Sequence, residues 1–332
     1  MRNFREKSLQ LLALMFIFLF VLNFYLGQNY TIIAPGVTVD LKDIVTVERG
    51  TKDEGSFFLT TVTTRTLNVP LLIYAAVDPH VKIQRKEQVI PPGWTMKEYM
   101  DYMEKWMQES QKIAEYVALK KAGYNPQILG DGAQIVGIMP NSPSKGILFP
   151  GDIIRKVDNE PVSIADEVIE KVANRNIGEV VELEVEREDN TLTLSLPTIE
   201  SQTEPGKAIV GIYITTLNWK PALPLNIEIN TGKIGGPSAG CMFVLEILNQ
   251  LTPEDLAQGR KIAGTGTISL DETIGEIGGV EQKVVAAYRA GAEIFIVPEK
   301  NAEAAMKAAK GYDIEVVSVK NLDDVLNYLE EL

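Results

Sequence analysis

A serine lies in the glycine-rich turn Gly235-Gly236-Pro237-Ser238-Ala239-Gly240. A lysine follows a second glycine pair in Gly278-Gly279-Val280-Glu281-Gln282-Lys283. The first motif opens an apolar helix, and the second sets its amine one turn into another helix. A hydroxyl and an amine brought together in this way form a nucleophile with its own general base, and no histidine is needed. The chain has one histidine, His80, in the loop context Asp78-Pro79-His80. A lysine-assisted serine is therefore the main route left to covalent hydrolysis.

The surroundings of both residues suit that chemistry. Pro237 fits the first helical position, where its missing N–H costs nothing. The amides of Ala239 and Gly240 are placed to hold an oxyanion near the serine, at about 3 kcal/mol per donor. Gly235 and Gly236 let a substrate backbone approach. Lys283 must be neutral to accept a proton, although a free lysine titrates near 10.4. Its apolar neighbours (Ile277, Val280, Val284, Val285, Ala286, Ala287) and the helix N-terminus both disfavour the charge. Two other readings stay open on these residues alone. Ser238 could serve only as a helix cap, or the turn could grip phosphate as the similar Gly-x-x-Ser-Ala loops of GHMP-type kinases do. Lys233, in the loop before the turn, is a competing amine expected to face solvent.

Composition narrows the field. A net charge of −13 argues against sequence-independent binding to nucleic acid. One histidine and one cysteine, Cys241, cannot make a disulfide or a usual zinc site. Asp271-Glu272 reads as a turn rather than a metal pair, and no P-loop stretch is present. No cofactor or metal is expected.

The elements that must position the pair can be read along the chain. Leu9 to Leu26 is nearly all apolar and close to the roughly 20 residues that span a bilayer. Arg2, Arg5 and Lys7 precede it, which keeps the N-terminus cytoplasmic and sends the rest outward. The flank Phe24-Tyr25-Leu26-Gly27-Gln28 has no small-x-small cleavage pair, so a retained anchor is favoured over a cleaved signal peptide. Gln28 to Gln88 reads as β-rich and ends at Pro91-Pro92-Gly93. A helix capped by Thr95 and Glu98 follows, with a core-facing stripe of Met96, Met100, Met103 and Met107. From about Asn125 to Thr198 a small module contains Asn141-Ser142-Pro143, Pro150-Gly151-Asp152-Ile153-Ile154 and Val157-Asp158-Asn159-Glu160-Pro161-Val162. A hairpin turning at Asp189-Asn190 closes it. Beyond Glu204-Pro205-Gly206 the pattern is α/β. It includes a helix from Ser238 to Asn249, a short helix capped by Thr252-Pro253 and a strand from Ile262 to Leu270.

Two resemblances follow from these residues. The small module resembles a bacterial PDZ domain, which implies capture of an extended peptide or a protein C-terminus. Leu129-Gly130-Asp131-Gly132 is its candidate carboxylate loop. Pro-Ser-Ala-Gly around Ser238, Thr265-Gly266-x-Ile268-x-Leu270, Ile277-Gly278-Gly279 through Lys283, and Ala286-Ala287 resemble the proteolytic domain of Lon-type serine proteases. That resemblance implies Ser238 as nucleophile, Lys283 as general base and Thr265 as the hydroxyl orienting the amine. Many Lon proteases carry an acidic residue where this chain has Gly236, so contacts there are expected to differ. Gly55 to Thr61 is similar to an early strand of that domain, and Met107-Gln108-Glu109-Ser110 to the helix after it.

The layout resembles a membrane-anchored PDZ–Lon family of bacterial proteins. It implies an α/β (α+β) Lon-type proteolytic domain with an inserted β-rich PDZ domain and an N-terminal transmembrane helix. The expected segments are 1–8 as cytoplasmic N-terminus, 9–27 as anchor, 28–123 and 201–332 as the two parts of the Lon-like domain, and 124–200 as the PDZ domain. The implied function is an ATP-independent serine endopeptidase acting on polypeptides outside the cell membrane, assembled as a homo-oligomer, six-fold as in Lon rings. An inactive Lon-like PDZ scaffold at the membrane, or a phosphate-binding kinase, are the rival readings.

Overall fold

The structure is a computed structural model that describes residues 2–51, 54–91, 93–140, 142–188, 190–201 and 205–332, with side chains from Leu9 onward. Pro92, Asn141, Asp189 and Glu204, each part of a turn expected from sequence, lie outside the described residues, as do the side chains of Arg2, Arg5 and Lys7.

Helix α1 (Arg2–Asn29) contains a stretch, Leu9–Asn29, of 21 residues with hydropathy 2.3, long and apolar enough to cross a membrane. Strand β1 (Tyr30–Asp40) follows with no linker, and antiparallel β2 (Ser56–Thr66) returns beside it, pairing Thr31 with Thr66. The segment expected to be β-rich is then interrupted by helix α2 (Val69–Val77). Asn68 caps this helix by accepting from the Leu71 N–H, and Pro70 sits in its first turn. The run Val69-Pro-Leu-Leu-Ile-Tyr-Ala-Ala-Val77 has no polar face, so period alone could not distinguish helix from buried strand. Strand β3 (Lys82–Arg85) pairs with the start of β1.

Helix α3 (Met96–Lys121) opens on a reciprocal Thr95–Glu98 capping box. Its methionine stripe is not the core stripe its spacing suggests. Met107 is buried, but Met100 is 43% exposed, because the first half of α3 runs beyond the core and its buried residues, Met107, Ser110, Ala114 and Val117 to Leu119, begin only at Met107.

The inserted compact unit is Pro126–Ala222. It holds β4 (Ala133–Ile138), β5 (Ile153–Val157), α4 (Ala165–Ala173), β6 (Val180–Arg187), β7 (Asn190–Pro197) and β8 (Ile212–Thr216). Its sheet order is β7-β6-β5-β4-β8. The unit runs past residue 200 because β8 pairs with β4, Ile214 opposite Ile135. Val181, Leu183 and Val185 of β6 alternate inward against Val168 and Val172 of α4, forming a core separate from the rest of the chain.

The remainder, with Met1–Asn125, forms the second unit. Its C-terminal part runs α5 (Gly240–Leu251), β9 (Lys261–Gly264), α6 (Val280–Arg289), β10 (Ile294–Pro298), α7 (Glu299–Ala308), β11 (Glu315–Val319) and α8 (Leu322–Glu330). Three expectations change here. A 3-10 turn over Pro237–Ala239 precedes α5, so the helix proper starts at Gly240. No helix begins at Thr252-Pro253; Thr252 caps the end of α5, its hydroxyl donating to the Leu248 carbonyl. The strand expected from Ile262 to Leu270 breaks after Gly264 and resumes only as Thr267–Ile268.

The six strands lie in the order β11-β10-β9-β2-β1-β3, with β2, β9, β10 and β11 parallel. Successive side chains alternate between faces. Phe57, Leu59, Ile262, Ile294 and Ile296 meet α3, α5 and α8. Ala263, Phe295 and Val297 meet α6 and α7 on the other side. Helix α5 is buried from Gly240 to Gln250, and its polar residues there, Glu246, Asn249 and Gln250, are buried with the apolar ones, Gln250 donating to Glu246 and Asn249 accepting from the Leu256 N–H.

Phe243, fully buried on α5, gives a test of this arrangement. Phe243→Ala should cost about 3–5 kcal/mol through the cavity it leaves. Denaturant titration should show a lower midpoint for the unit carrying it and an unchanged one for Pro126–Ala222.

Candidate active site

Ser238 sits at the centre of the 3-10 turn, and two contacts from α3 hold that turn. The Gly236 N–H donates to the Met103 carbonyl at 2.7 Å, and the Ser110 hydroxyl donates to the Pro237 carbonyl at 3.0 Å. Gly236 has φ +98, and a Cβ there would come within 2.9 Å of the Met103 methyl. Any side chain at 236, acidic ones included, would be strained. Gly235 lies against the Met103 backbone, so these two glycines pack on α3 as well as face the cleft.

The chain after β9 turns toward the serine instead of continuing the strand. The Ser238 carbonyl accepts from the Gly266 N–H at 2.8 Å and from the Thr265 hydroxyl at 2.9 Å, and Cys241 N–H donates to the Gly266 carbonyl. These bonds explain the strand break. Lys283 enters from the first turn of α6, whose N-cap Gly279 adopts φ +68 with its Cα side pressed on Val62.

The Lys283 Nζ lies 2.7 Å from Ser238 Oγ and 2.9 Å from Thr265 Oγ1. Because Thr265 donates its only O–H to the Ser238 carbonyl, its oxygen can only accept from the amine. One N–H of Lys283 is thus fixed, and for a neutral amine the lone pair is left for the serine proton. Lys283 is only 3% exposed, and burial lowers its amine to about 7. Removing a charge from water disfavours the charged form, and no other cause contributes to this shift.

The structure therefore brings Ser238, Lys283 and Thr265 together. It treats the expected oxyanion donors unequally. Gly240 already donates its N–H to the Pro237 carbonyl, closing the 3-10 turn, and a Cβ on it would collide with Ile268 and Ser110. It acts as a packing position in this conformation, not an oxyanion donor. Ala239, buried, lines the cleft beside Ser238.

The cleft has a volume of about 630 Å³. Beside the dyad it is lined by Tyr99, Met100, Met103 and Trp106 of α3, and by Thr60 to Val62 of β2. Sequence reasoning missed these residues because it assigned the α3 methionines to the core; the aromatic residues between them were the available signal.

The other candidates do not join the three side chains. Lys233 lines the cleft with an exposed side chain. His80 is hydrogen-bonded to Tyr312 at 3.1 Å and does not line the cleft. Cys241 is fully buried, and burial pushes its thiol up to about 12. Asp271 caps its own turn through Thr273, and Glu272 pairs with Lys121. In the inserted unit, Leu129-Gly130-Asp131-Gly132 does not present a free nest of amides. Asp131 N–H donates to the Leu217 carbonyl and Gly132 N–H to that of Ser163. The turn Val210-Gly211-Ile212, a glycine between two apolar residues, leads into the edge strand β8: Gly211 takes φ +72 and two serine hydroxyls, Ser142 and Ser144, hold the Val210 carbonyl.

Residues 225–331 match the family described as the Lon protease (S16) C-terminal proteolytic domain, and residues 114–198 match the PDZ domain family. Over 107 residues the chain is 37% identical to the Lon protease of Mycoplasma pneumoniae, covering 31% of this chain and 13% of that protein. Over 190 residues it is 28% identical to Lon protease 2 of Herpetosiphon aurantiacus, covering 53% of this chain and 23% of that protein. The chain thus spans under a quarter of the length of these relatives. The PDZ domain of an SdrC-like protein from Listeria innocua aligns over 25% of this chain and 93% of its own, at 21% identity and a TM-score of 0.24. The chain accordingly carries a Lon-type proteolytic domain at its C-terminal end and, ahead of it, a PDZ domain.

Proposed function

We propose that this protein is a membrane-anchored serine endopeptidase with a Ser238–Lys283 dyad. The observation that carries the reading is a buried amine, lowered to about 7, within 2.7 Å of a serine hydroxyl on an open cleft. Ser238 Oγ attacks a peptide carbonyl carbon while its proton passes to the neutral Lys283 Nζ. The ammonium then gives that proton to the departing amine, leaving a Ser238 ester. Water, deprotonated by the same amine, releases the acyl group and restores the hydroxyl. Thr265 keeps the amine aimed throughout. The leading N–H groups of a helical turn have no partner inside it, and Pro237 has none to give, so the Ser238 amide is the favoured oxyanion donor. No step uses a nucleotide.

The inserted domain supplies a docking edge. Strand β8 ends its sheet, and α4 packs alongside it. An extended peptide added to that edge, its carboxylate at Val210-Gly211-Ile212, is the recognition mode this geometry supports. Helix α1 holds the chain in the membrane with residues after Gly27 outside, and by resemblance the subunits assemble as a homo-oligomer. A phosphate-binding kinase is disfavoured, because a buried amine whose charge is disfavoured by desolvation is a poor phosphate ligand. An inactive scaffold is disfavoured by the intact geometry of the three side chains.

A fluorophosphonate probe should label the purified full chain in detergent, and Ser238→Ala should abolish that labelling. Lys283→Ala should slow cleavage of a peptide substrate by about 10²–10⁴-fold; equal labelling of Ser238→Ala and parent protein would contradict the assignment. Since only the neutral amine can act, kcat/KM should rise with pH and level off above about 7. A profile flat from pH 5 to 9 would count against a lysine base.

The same shift predicts a stability effect. The folded amine titrates near 7 and the unfolded one near 10.4, so the unfolded state binds more protons between these values and stability rises with pH there. Lys283→Met should therefore stabilise the fold at pH 6, by on the order of 5 kcal/mol at most, with the gain shrinking as pH approaches 10. Chemical denaturation at pH 6, 8 and 10 reads this trend.

A further inference from the structure

We infer that α2 is an interfacial helix whose outer face, Pro70, Ile73, Tyr74 and Val77, is seated in the lipid of the outer leaflet beside the anchor. The inference rests on the reading of α1 as a membrane span. These four residues fall at i, i+3, i+4 and i+7, one face of a helix, and all four are exposed. Ile73 is 63% and Val77 78% exposed. The opposite face, with Val69, Leu72 and Ala75, packs on Leu22, Leu26 and Leu67. So α2 is apolar on both sides, and among the described residues only one side is covered by protein.

The occupant of the other side follows from depth. The apolar stretch Leu9–Asn29 is 21 residues long, about 31 Å at 1.5 Å per residue, which matches a hydrocarbon core of about 30 Å. Asn23 lies four residues, about 6 Å, inside Gly27, where the anchor ends, and six residues, about 9 Å, inside Asn29. The Asn23 Oδ1 accepts the Val69 N–H at 3.1 Å, so the start of α2 is held at that depth. Interfacial helices lie about 5–10 Å into the headgroup and acyl boundary. No linker separates α1 from β1, and Leu26 is itself buried in the domain, so α2 has no slack with which to leave this level.

The hydrogen bonding of the helix start fits lipid as well. Water is absent at such depth, so leading amides must find partners within the protein. Val69 N–H goes to Asn23, Leu71 N–H to the Asn68 side chain, Leu72 N–H to the Asn68 carbonyl, and Pro70 has none. Asn23, a polar residue within the apolar span, gains a partner in the same bond. At the other end Asp78 accepts from Tyr74 and from the His80 amide, which suits emergence into water.

The test uses the full chain in phosphatidylcholine–phosphatidylglycerol vesicles. Since Cys241 is buried, Ile73→Cys, Val77→Cys and Phe16→Cys can each carry a single environment-sensitive fluorophore, with Val136→Cys as an exposed control on the PDZ domain. Lipids bearing a shallow acyl-chain nitroxide should quench the labels at 73 and 77 strongly, and iodide in the buffer should quench them little; the label at 136 should show the reverse. Labels at 73 and 77 quenched by iodide and not by nitroxide lipid, with the label at 16 quenched by deep nitroxide lipid, would overturn the inference while leaving the anchor intact. Protection from both quenchers at 73 and 77 would also overturn it, in favour of a protein contact such as a second copy. A label at 16 open to iodide would sink the anchor reading itself, and this inference with it.

Discussion

The arrangement depends on one desolvated amine. Lys283 is held almost without water at the start of α6, and among the described residues its amine has two hydroxyls, Ser238 and Thr265, at hydrogen-bond distance. A lysine in water would be charged at neutral pH and useless as a base. Burial makes it neutral at a cost that the apolar packing of α6 must offset. The surrounding structure can be understood as what keeps that amine dry and aimed. Strand β9 ends where Thr265 and Gly266 turn to grip the Ser238 carbonyl. Helix α3 pins the turn through Met103 and Ser110, and Gly279 lets α6 begin against Val62.

This geometry explains which parts were legible in the sequence. The glycine pairs before Ser238 and Lys283 mark sharp entries into helices, and glycine, proline and serine are chosen there for backbone reasons that survive without coordinates. The α/β alternation after residue 225 was readable because apolar runs and helical periods alternate there. The Ser238–Thr265 carbonyl contact was not: it joins residues 27 apart through a strand break that the pattern from Ile262 to Leu270 conceals. Gly240 looked like an oxyanion donor because sequence places it after the serine, yet a 3-10 turn uses its amide internally. The methionines of α3 have core spacing, but spacing does not say how far a helix extends past its core.

The insertion shows a similar division. The Pro150-Gly151-Asp152 turn and the hairpin announce a PDZ domain, whereas its last strand lies beyond a loop and pairs back across the unit, so the boundary at Ala222 needed the fold. Helix α2 was hidden for the opposite reason. A helix with apolar residues on every side carries no period, and what makes both faces apolar is a matter of surroundings: one face meets protein, and the other meets whatever lies beside α1.

The central claim is that Lys283 is a neutral base at physiological pH because it is buried. Direct titration of its side-chain nitrogen by NMR in protein carrying ¹⁵Nζ-lysine, with the resonance assigned by its loss in Lys283→Arg, tests this without reference to any substrate. The account predicts a midpoint near 7. A midpoint near 10.4, the value of a lysine in water, would contradict it.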